Sequence, residues 1–235
     1  MTIVKTPARI SDTEIASLNE RFETTDPRDI VRWAVETFGD GLSVGASFGG
    51  ASGMAILHMV AALKPNVHVF VLDTDYLFEE THETMRRSTE SLNLQNVNVY
   101  KSKLTHEEQA SQFGSALWMR DPDACCELRK IEPNRRALDG KTAWVSGLRR
   151  DQSEGRADTP ILSWNQKFSV VKINPLANWT EKETWAYITA NNIPYNPLLD
   201  QGYQSIGCYN CTVRGVQGRA GRWAGFEKDE CGLHT

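Results

Sequence analysis

Short apolar runs alternate with longer amphipathic stretches through the first half of the chain, and this alternation predicts a sheet flanked by helices. Residues 42–46 predict a short buried strand, and residues 67–72 and 97–100 predict a second and a third strand. Between them, residues 54–63 predict an apolar helix and residues 79–92 predict a charged one. Strands that alternate with helices are typical of a parallel twisted sheet with helices on both faces. The sequence therefore predicts an α/β fold.

The second half of the chain continues in a less regular order. Residues 105–118 predict a helix, and an Asp-Pro turn at 121–122 opens the helix that carries Cys125 and Cys126. Residues 142–148 predict a further strand. The last predicted elements are a hairpin of 161–164 and 168–173 with its turn at 165–167, and a helix at 185–191 that follows a capping box of Thr180 and Glu183.

The first 40 residues predict a helical segment with two helices and no evident chemistry. Ser11 and Glu14 form a capping box for the first helix. Asp26 followed by Pro27 is typical of a helix start, with the aspartate as cap and the proline at the first helical position. We expect this segment to serve packing or contacts in a homo-oligomer.

The remainder of the chain divides at the onset of its irregular part. Residues 41–203 predict a nucleotide-binding α/β domain, and residues 204–235 a C-terminal tail that binds a metal and carries the reactive group. From Pro194 onward the composition is rich in Gly, Pro and Asn, which predicts irregular structure. No internal repeat or low-complexity linker interrupts the chain, so we expect a single structural domain overall.

Composition excludes several classes of protein. The 235 residues are 40% hydrophobic and 24% charged, which is ordinary for a globular enzyme. The net charge of −4 argues against a general nucleic-acid binder, whose surface would be basic. The sequence has no run of about 18 apolar residues, which a membrane span would need, and the N-terminus lacks a signal-peptide pattern. We therefore expect a cytoplasmic protein that contacts neither nucleic acid nor membrane.

A glycine-rich loop of sequence SFGGASG separates the first predicted strand from the first apolar helix. Glycines there let backbone N–H groups approach an anion, and the helix N-terminus adds partial positive charge. The loop fits neither the Walker pattern nor the dinucleotide pattern. It resembles the PP-loop of the adenine nucleotide alpha hydrolases, roughly S-G-G-x-D-S, but Ala51 stands where that pattern has its aspartate. ATP cleavage thus loses support, anion binding does not, and a simple tight turn is the alternative.

Four of the five cysteines form two close pairs. Cys125 and Cys126 are adjacent, whereas Cys208 and Cys211 form a C-x-x-C pair. In a chain without an export signal, this pattern indicates metal or redox chemistry in preference to disulfides. Adjacent helical side chains diverge by about 100°, which suits different irons of a cluster better than one zinc ion. The alternative is that Cys125 and Cys126 are buried as small apolar residues.

Cys231 remains outside the two pairs, in a C-terminal segment that we expect to be mobile. Nearby cations would lower its pKa and favour the nucleophilic thiolate. The arginines and lysine that could converge on a polyanionic substrate are Arg129, Lys130, Arg149, Arg150, Arg219 and Arg222. Taken singly, each of them is equally well a solvated surface cation, and Cys231 an incidental thiol.

From about residue 40 to the end, the motifs together resemble the assimilatory adenylyl-sulfate reductases. The motifs that carry this resemblance are SFGGASG, LDTDYLFEET, CCELRKIEP, SGLRRDQS, KINPLANWTEKETWAYI, IPYNPLLDQGYQSIGCYNCT, RAGRW and ECGLH. Relatives specific for 3′-phosphoadenylyl sulfate keep the terminal cysteine but lack both cysteine pairs. Because this chain has both pairs, it is similar to the branch that contains a cluster and uses adenylyl sulfate.

The resemblance implies a set of roles. Cys125, Cys126, Cys208 and Cys211 would bind one 4Fe–4S cluster, and no flavin or nicotinamide would be needed. Cys231 would attack the sulfate sulfur, release AMP and become a thiosulfonate, from which thioredoxin or glutaredoxin would free sulfite. The implied substrate-binding residues are Ser47, Phe48, Gly49, Gly50, Ser52, Leu72, Asp73, Thr74, Lys130, Arg149, Arg219, Arg222 and His234, the last as part of the terminal motif.

The region expected to meet the ribose offers few cations for a 3′-phosphate. Between Ser47 and Thr74 the only basic residue is Lys64, and His58 and His68 are the only others that can become charged. An uncompensated phosphate there would suffer a desolvation cost of several kcal/mol. The sequence therefore predicts a preference for adenylyl sulfate.

Three alternatives stay open at this point. The first is a reductase for 3′-phosphoadenylyl sulfate, or one of dual specificity. The second is an ATP-using PP-loop enzyme such as a sulfurtransferase or amidating synthetase, against which the missing acidic residue and the ECGLH tail count. The third is an iron–sulfur redox sensor, for which a dedicated nucleotide pocket would be superfluous.

Overall fold

A computed structural model describes residues 10–215, 218–228 and 230–234, and within them six strands form one sheet. The sheet order is β3-β2-β1-β4-β6-β5, and all neighbouring pairs are parallel except β5 and β6. The predicted α/β fold is confirmed, and the predicted hairpin supplies the antiparallel edge strand. The strands are Leu42–Gly45 (β1), His68–Asp73 (β2), Val97–Lys101 (β3), Ala143–Val145 (β4), Leu162–Asn165 (β5) and Val170–Ile173 (β6).

Helices surround the sheet in the order that the apolar pattern predicts. The helices are Asp12–Phe22 (α1), Pro27–Phe38 (α2), Ala51–Leu63 (α3), Glu79–Ser91 (α4), His106–Phe113 (α5), Leu117–Arg120 (α6), Pro122–Cys126 (α7), Glu132–Ala137 (α8) and Glu181–Ala190 (α9). In the described part of the chain no helix has the length and apolar character needed to cross a bilayer.

Alternate side chains of the strands point to opposite faces of the sheet and enter two separate cores. On β2, Val69 and Val71 join the larger core, which includes residues of α1, α2, α3 and α9. Phe70 and Leu72 point the other way, into a smaller core with Ile131 and residues of α8. Both faces are thus covered by helices, as the sequence predicts.

The first two helices begin where their caps predict. The Ser11 hydroxyl accepts a hydrogen bond from the Glu14 N–H at 3.2 Å, and the Asp26 carboxylate accepts one from the Arg28 N–H at 2.8 Å. The amide side chain of Asn19 then pairs with both backbone groups of Leu162, at 2.9 and 2.8 Å. The first helix therefore packs on the β5 edge, and both N-terminal helices share the main core.

Two predicted helices are interrupted. The predicted helix over 105–118 breaks because Gly114 and Ala116 have positive φ angles of 80° and 50°. The helix that carries Cys126 passes through a π turn, Glu127–Ile131, before α8. Pro133 explains that turn, because it has no N–H to donate to the carbonyl four residues earlier and its ring would clash there.

The predicted strand over 142–148 is shorter than expected, since only β4 pairs in the sheet. The Ser146 N–H still donates to the Ile173 carbonyl of β6 at 2.9 Å, and Ser146 and Gly147 form part of a cavity wall. A Cβ on Gly147 would lie 2.9 Å from the backbone nitrogen of Gly53, so only glycine permits this contact with α3. Among the described residues after Pro194 the backbone is irregular, as predicted, apart from a short 3₁₀ turn at Tyr209–Cys211.

Candidate active site

A cavity of about 330 Å³ opens at the carboxyl ends of β1, β2 and β4. This is the edge at which open α/β sheets bind ligands, because the loops that follow the strands meet there. The C-terminal part of the chain, including residues 204–207, Glu230, Cys231, Leu233 and His234, contributes another part of the wall. The cavity therefore brings together motifs that lie far apart in the sequence.

The glycine-rich loop after β1 forms the floor of the cavity. Gly50 is the N-cap of α3, so the first free N–H groups of that helix face the loop. Ser47, Gly50 and Ser52 line the cavity, as predicted. This combination of loop and helix N-terminus is suited to an anionic group.

Two residues predicted to contact substrate support the loop from behind instead. Phe48 has a φ angle of 50°, is 1% exposed and packs in the main core. Its carbonyl accepts a hydrogen bond from the Asn196 side chain at 3.2 Å. Gly49 faces Ile206, because a Cβ there would lie 3.0 Å from the Ile206 carbonyl oxygen. Neither residue lines the cavity.

The residues at the end of β2 likewise divide into those that line the cavity and one that supports its wall. Leu72 and Thr74 line the cavity, whereas Asp73 does not. The Asp73 carboxylate lies 3.2 Å from the Lys101 ammonium group and accepts a hydrogen bond from the Asp75 N–H at 2.9 Å. Asp73 therefore shapes the turn at the strand end.

The four cations predicted to hold the phosphosulfate, Lys130, Arg149, Arg219 and Arg222, all line the cavity. Arg149 donates to the Ser52 hydroxyl in the loop and, through Nε, to Asp151 at 2.8 Å. Arg222 donates through Nε to the Cys211 carbonyl at 3.2 Å, and within the described residues its Nη2 has no hydrogen-bond partner. An orphaned, buried guanidinium nitrogen is what a site for an anionic ligand requires.

Crowding of these cations is visible in their pKa values. Burial, followed by repulsion from Arg156, lowers the pKa of Arg219 to about 10. Burial acts to lower the pKa of Lys130 as well, but the sulfurs of Cys208 and Cys231 act in the opposite direction and the pKa is raised overall. The cavity thus concentrates positive charge that an anion would stabilise.

Sequence reasoning missed several residues of this site. Arg156 and Glu230 line the cavity and form an ion pair across 74 positions, which no spacing pattern reveals. Trp144 and Asn134 also line it, and among the described residues the Trp144 Nε1 and both amide atoms of Asn134 have no hydrogen-bond partner. Lys172 lies close by in β6, where burial and then Arg156 lower its pKa to about 8.

The C-terminal segment around Cys231 is docked, although a mobile tail was expected from the sequence. The Lys167 ammonium group donates to the Gly232 carbonyl at 2.9 Å, and Leu233 packs against the smaller core. The His234 ring stacks on Trp144, with 5.3 Å between the ring centroids. Cys231 lines the cavity as a result.

The two cysteine pairs meet in a second, smaller cavity. Cys125, Cys126, Cys208 and Cys211 all line it, and all four are free thiols. The C-x-x-C segment reaches this place because the Tyr209 N–H donates to the Tyr76 carbonyl at 2.7 Å. Within the residues that the structure describes, no three potential ligands lie close enough together to hold a single metal ion.

Burial leaves most of these thiols weakly acidic. Burial, with repulsion from the other three cysteines, raises the pKa of Cys125 to about 12. Burial raises the pKa of Cys126 to about 11 and also raises that of Cys211. For Cys208 the effect of burial is outweighed, mainly by Lys130, and the pKa is lowered. Four convergent thiols beside a lysine form a donor set that fits a metal group, because metal binding displaces the protons of its thiol ligands.

Comparisons with known proteins agree with this geometry. Residues 43–214 match the model of the phosphoadenosine phosphosulfate reductase domain. The chain is 51% identical over 229 residues to adenosine 5′-phosphosulfate reductase of Salinibacter ruber, covering 96% of this chain and 90% of that protein.

Solved structures resemble the chain as well. A phosphoadenylyl-sulfate reductase from Candida auris, in a phosphate complex, is 35% identical, with a TM-score of 0.76 over 86% of this chain and 98% of that one. Candida glabrata FMN adenylyltransferase has a TM-score of 0.58 at 14% identity, covering 87% of this chain and 66% of that one, and shares the fold alone.

Proposed function

The chain belongs to the phosphoadenosine phosphosulfate reductase domain family, and from this we propose that it reduces adenylyl sulfate to sulfite and AMP. The reaction serves sulfate assimilation and, through sulfite, cysteine biosynthesis. The observation that carries the proposal is that Cys231 lines the same cavity as the glycine-rich loop and the cations Lys130, Arg149, Arg219 and Arg222.

We assign the nucleotide to the loop side of the cavity and the phosphosulfate to the cationic side. Ser47, Gly50, Ser52, Leu72 and Thr74 would contact the nucleotide, because they line the wall beyond β1 and β2. In this assignment Phe48, Gly49 and Asp73 act indirectly, by fixing the backbone of those walls. His234 would complete the cavity from the tail side.

The first chemical step proposed is nucleophilic attack by the Cys231 thiolate on the sulfate sulfur. A sulfur–sulfur bond forms while the bond between that sulfur and the bridging oxygen breaks, and the electron pair leaves with AMP. AMP is a good leaving group, so positioning and charge neutralisation matter more than a strong acid. The buried cations Lys130, Arg149, Arg219 and Arg222 meet both requirements.

The second step proposed is reductive release by thioredoxin or glutaredoxin. A thiolate of that partner attacks the Cys231 sulfur, sulfite leaves with the electron pair, and the partner's second thiol resolves the mixed disulfide. Sulfur gains two electrons and the dithiol is oxidised, so the step balances. Segment 230–234 has to leave its docked position for this reaction, because its contacts with Lys167 and Trp144 hold Cys231 at the cavity.

We propose that Cys125, Cys126, Cys208 and Cys211 hold one 4Fe–4S cluster. Their convergence on one cavity supports this proposal, because four cysteine thiolates are the usual ligands of such a cluster. When bound, the cluster would convert four buried thiols into thiolates whose negative charge faces Lys130. The chemistry above needs no flavin or nicotinamide.

The remaining expectations are part of the same proposal. We place the enzyme in the cytoplasm, where thioredoxin keeps thiols reduced. A homo-oligomer is compatible with the helical N-terminal segment, and nucleic acid or membrane partners are not needed.

A second candidate substrate is 3′-phosphoadenylyl sulfate. It is favoured by the 35% identity to the reductase from Candida auris, a protein named for that nucleotide. Both nucleotides carry the same phosphosulfate, so the steps at Cys231 would be identical. The ratio of kcat/KM for adenylyl sulfate to kcat/KM for 3′-phosphoadenylyl sulfate decides between the two substrates.

The proposal is tested by a sulfite-release assay on anaerobically purified protein. We expect sulfite from adenylyl sulfate when thioredoxin and its reductase are present, and no turnover without them. Iron and sulfide analysis of the same preparation tests the cluster separately. Formation of AMP or pyrophosphate from ATP, without sulfite release, would favour an ATP-using PP-loop enzyme instead.

A further inference from the structure

Two arginines hold the carboxylate of Glu230 at the wall of the main cavity. Arg156 reaches one carboxylate oxygen through Nε at 2.6 Å and through Nη2 at 2.5 Å. Arg219 approaches the other oxygen through Nη2 at 3.1 Å. The Arg156 side chain is 9% exposed and the Arg219 and Glu230 side chains are each 15% exposed, so solvent screens these contacts weakly.

Arg156 is held in place independently of the C-terminal segment. Arg156 Nη1 donates to the side-chain oxygen of Gln152, and the same oxygen accepts the Arg149 backbone N–H at 3.1 Å. Glu230, by contrast, lies on the segment whose docking depends on a few contacts next to Cys231. If one partner leaves, it is therefore the glutamate.

We propose that Glu230 is an affinity-determining residue, whose carboxylate occupies the place of the substrate's anionic phosphosulfate end and is displaced when that end binds. This inference rests on the proposed function, because it takes Arg219 as part of the phosphosulfate site. Arginine binds carboxylates and sulfate or phosphate groups through the same planar arrangement of donors. Glu230 is chemically suited to stand in for the ligand.

The Glu230 carboxylate and a bound anion exclude each other because both are negatively charged. An anionic group placed on the same two guanidinium groups would lie beside the buried Glu230 carboxylate, and like charges repel strongly where water is excluded. The contact of Glu230 with the two arginines and anion binding therefore oppose each other, while the contacts of Gly232 with Lys167 and of His234 with Trp144 still hold Cys231 at the cavity. By thermodynamic linkage the effect is reciprocal, so a bound anion weakens the Glu230 contact by the same factor by which that contact weakens anion binding.

The test compares substitutions of two glutamates on the same stretch of chain. Glu230→Gln removes the charge from the arginine pair while keeping the shape. Glu227→Gln is the matched control, because Glu227 is exposed and makes the same change of net charge. Both are made in the cluster-loaded protein with Cys231→Ser, which prevents turnover, and binding of adenylyl sulfate is measured by titration calorimetry.

We expect Glu230→Gln to tighten binding of adenylyl sulfate by about tenfold, as a coupling of this size implies, and Glu227→Gln to leave the affinity unchanged. Glu230→Asp keeps the charge and should stay within about twofold of the parent. Equal or weaker binding by Glu230→Gln, or equal tightening by the aspartate variant, would overturn the proposal.

Hydrogen exchange of the peptide that covers residues 230–234 supplies a second readout that does not depend on the nucleotide. With inorganic sulfate as the probe, exchange should accelerate in the parent, and in Glu230→Gln it should be fast without sulfate. Sulfate-dependent exchange in a protein that fails to bind adenylyl sulfate would contradict the proposed function, and would leave only the competition between Glu230 and an inorganic anion. An exchange rate that changes neither with sulfate nor in Glu230→Gln would overturn this inference and leave the proposed function intact.

Discussion

The hydroxyl oxygen of Thr74 lies 3.2 Å from the sulfur of Cys208, although 134 residues separate the two in the sequence. Thr74 ends the strand segment that lines the main cavity, and Cys208 belongs to the cysteine cavity. Thr74, Lys130 and Cys208 in fact line both cavities. The proposed substrate site and the proposed cluster site therefore share a wall.

The first prediction concerns the metal centre. Cys126→Ser and Cys208→Ser should each lose iron and sulfide, because each removes one of four convergent thiols. Activity should fall by at least about a hundredfold, in line with losses seen when a metal site is disrupted. Iron, sulfide and visible absorbance of anaerobic preparations provide the measurement.

Cys231→Ser is the control for this prediction, because Cys231 lies outside the proposed ligand set. Its loss should leave the iron content, the sulfide content and the visible absorbance unchanged. An active, colourless preparation that holds stoichiometric zinc would show that the cluster assignment is wrong.

The second prediction concerns the nucleophile. Cys231→Ser should bind adenylyl sulfate but release no sulfite, because serine cannot form the sulfur–sulfur bond. Wild type mixed with substrate and no thioredoxin should carry a sulfonate adduct on Cys231, which peptide mass spectrometry detects. An adduct on another cysteine, or substantial turnover by the serine variant, would contradict the role of Cys231.

Local patterns predicted much of this architecture, because caps and strand–helix alternation depend on neighbouring residues. The Asp26 cap and the α/β order are of this kind. The motif resemblance added candidate residues, but it could not tell cavity walls from their supports. Phe48 and Asp73 stand within matching motifs and yet face the core or Lys101, because side-chain direction depends on the turn that each residue makes.

Long-range contacts between charged residues were not predictable. Arg156 and Glu230 look like ordinary surface residues in the sequence, and only the folded chain brings them within 2.6 Å. The contacts that dock residues 230–234 were not predictable either. They involve Lys167 and Trp144, which carry no local sequence signal for binding the C-terminal segment.

The third prediction concerns pH and the docking of His234. Burial, and then the nearby cations, hold the pKa of His234 well below its usual range. The docked imidazole is therefore neutral, whereas an undocked imidazole has a pKa of about 6.5. Docking should be fully favourable above about pH 6.5 and should weaken by up to about tenfold for each pH unit below it. The charged groups that face the ring are Lys172, Arg156, Arg219 and Lys130.

Hydrogen exchange of the peptide that covers residues 230–234, corrected for intrinsic rates, measures this effect between about pH 7.5 and about pH 5.5. His234→Phe is the matched control, because phenylalanine can stack on Trp144 but cannot titrate. Lys172, with its pKa of about 8, is mostly protonated throughout this range. The same pH dependence in His234→Phe would refute the role of the imidazole.

The fourth prediction is that adenylyl sulfate is preferred over its 3′-phosphorylated form. The basic residues between Ser47 and Thr74 are all engaged elsewhere. Lys64 pairs with Asp40 at 2.7 Å, His58 lies 2.9 Å from the Tyr187 hydroxyl, and His68 lies 2.6 Å from the Ser43 hydroxyl.

Arg149 also reaches the loop, through Ser52, but it is paired with Asp151 at 2.8 Å and is assigned to the phosphosulfate that both nucleotides share. A 3′-phosphate beside the loop would therefore remain uncompensated, at a cost of several kcal/mol. Because about 1.4 kcal/mol corresponds to tenfold, we expect kcat/KM to favour adenylyl sulfate by at least about tenfold. The measurement uses both nucleotides with one thioredoxin under anaerobic conditions. A wild-type ratio at or below one would place the enzyme with the users of the 3′-phosphate.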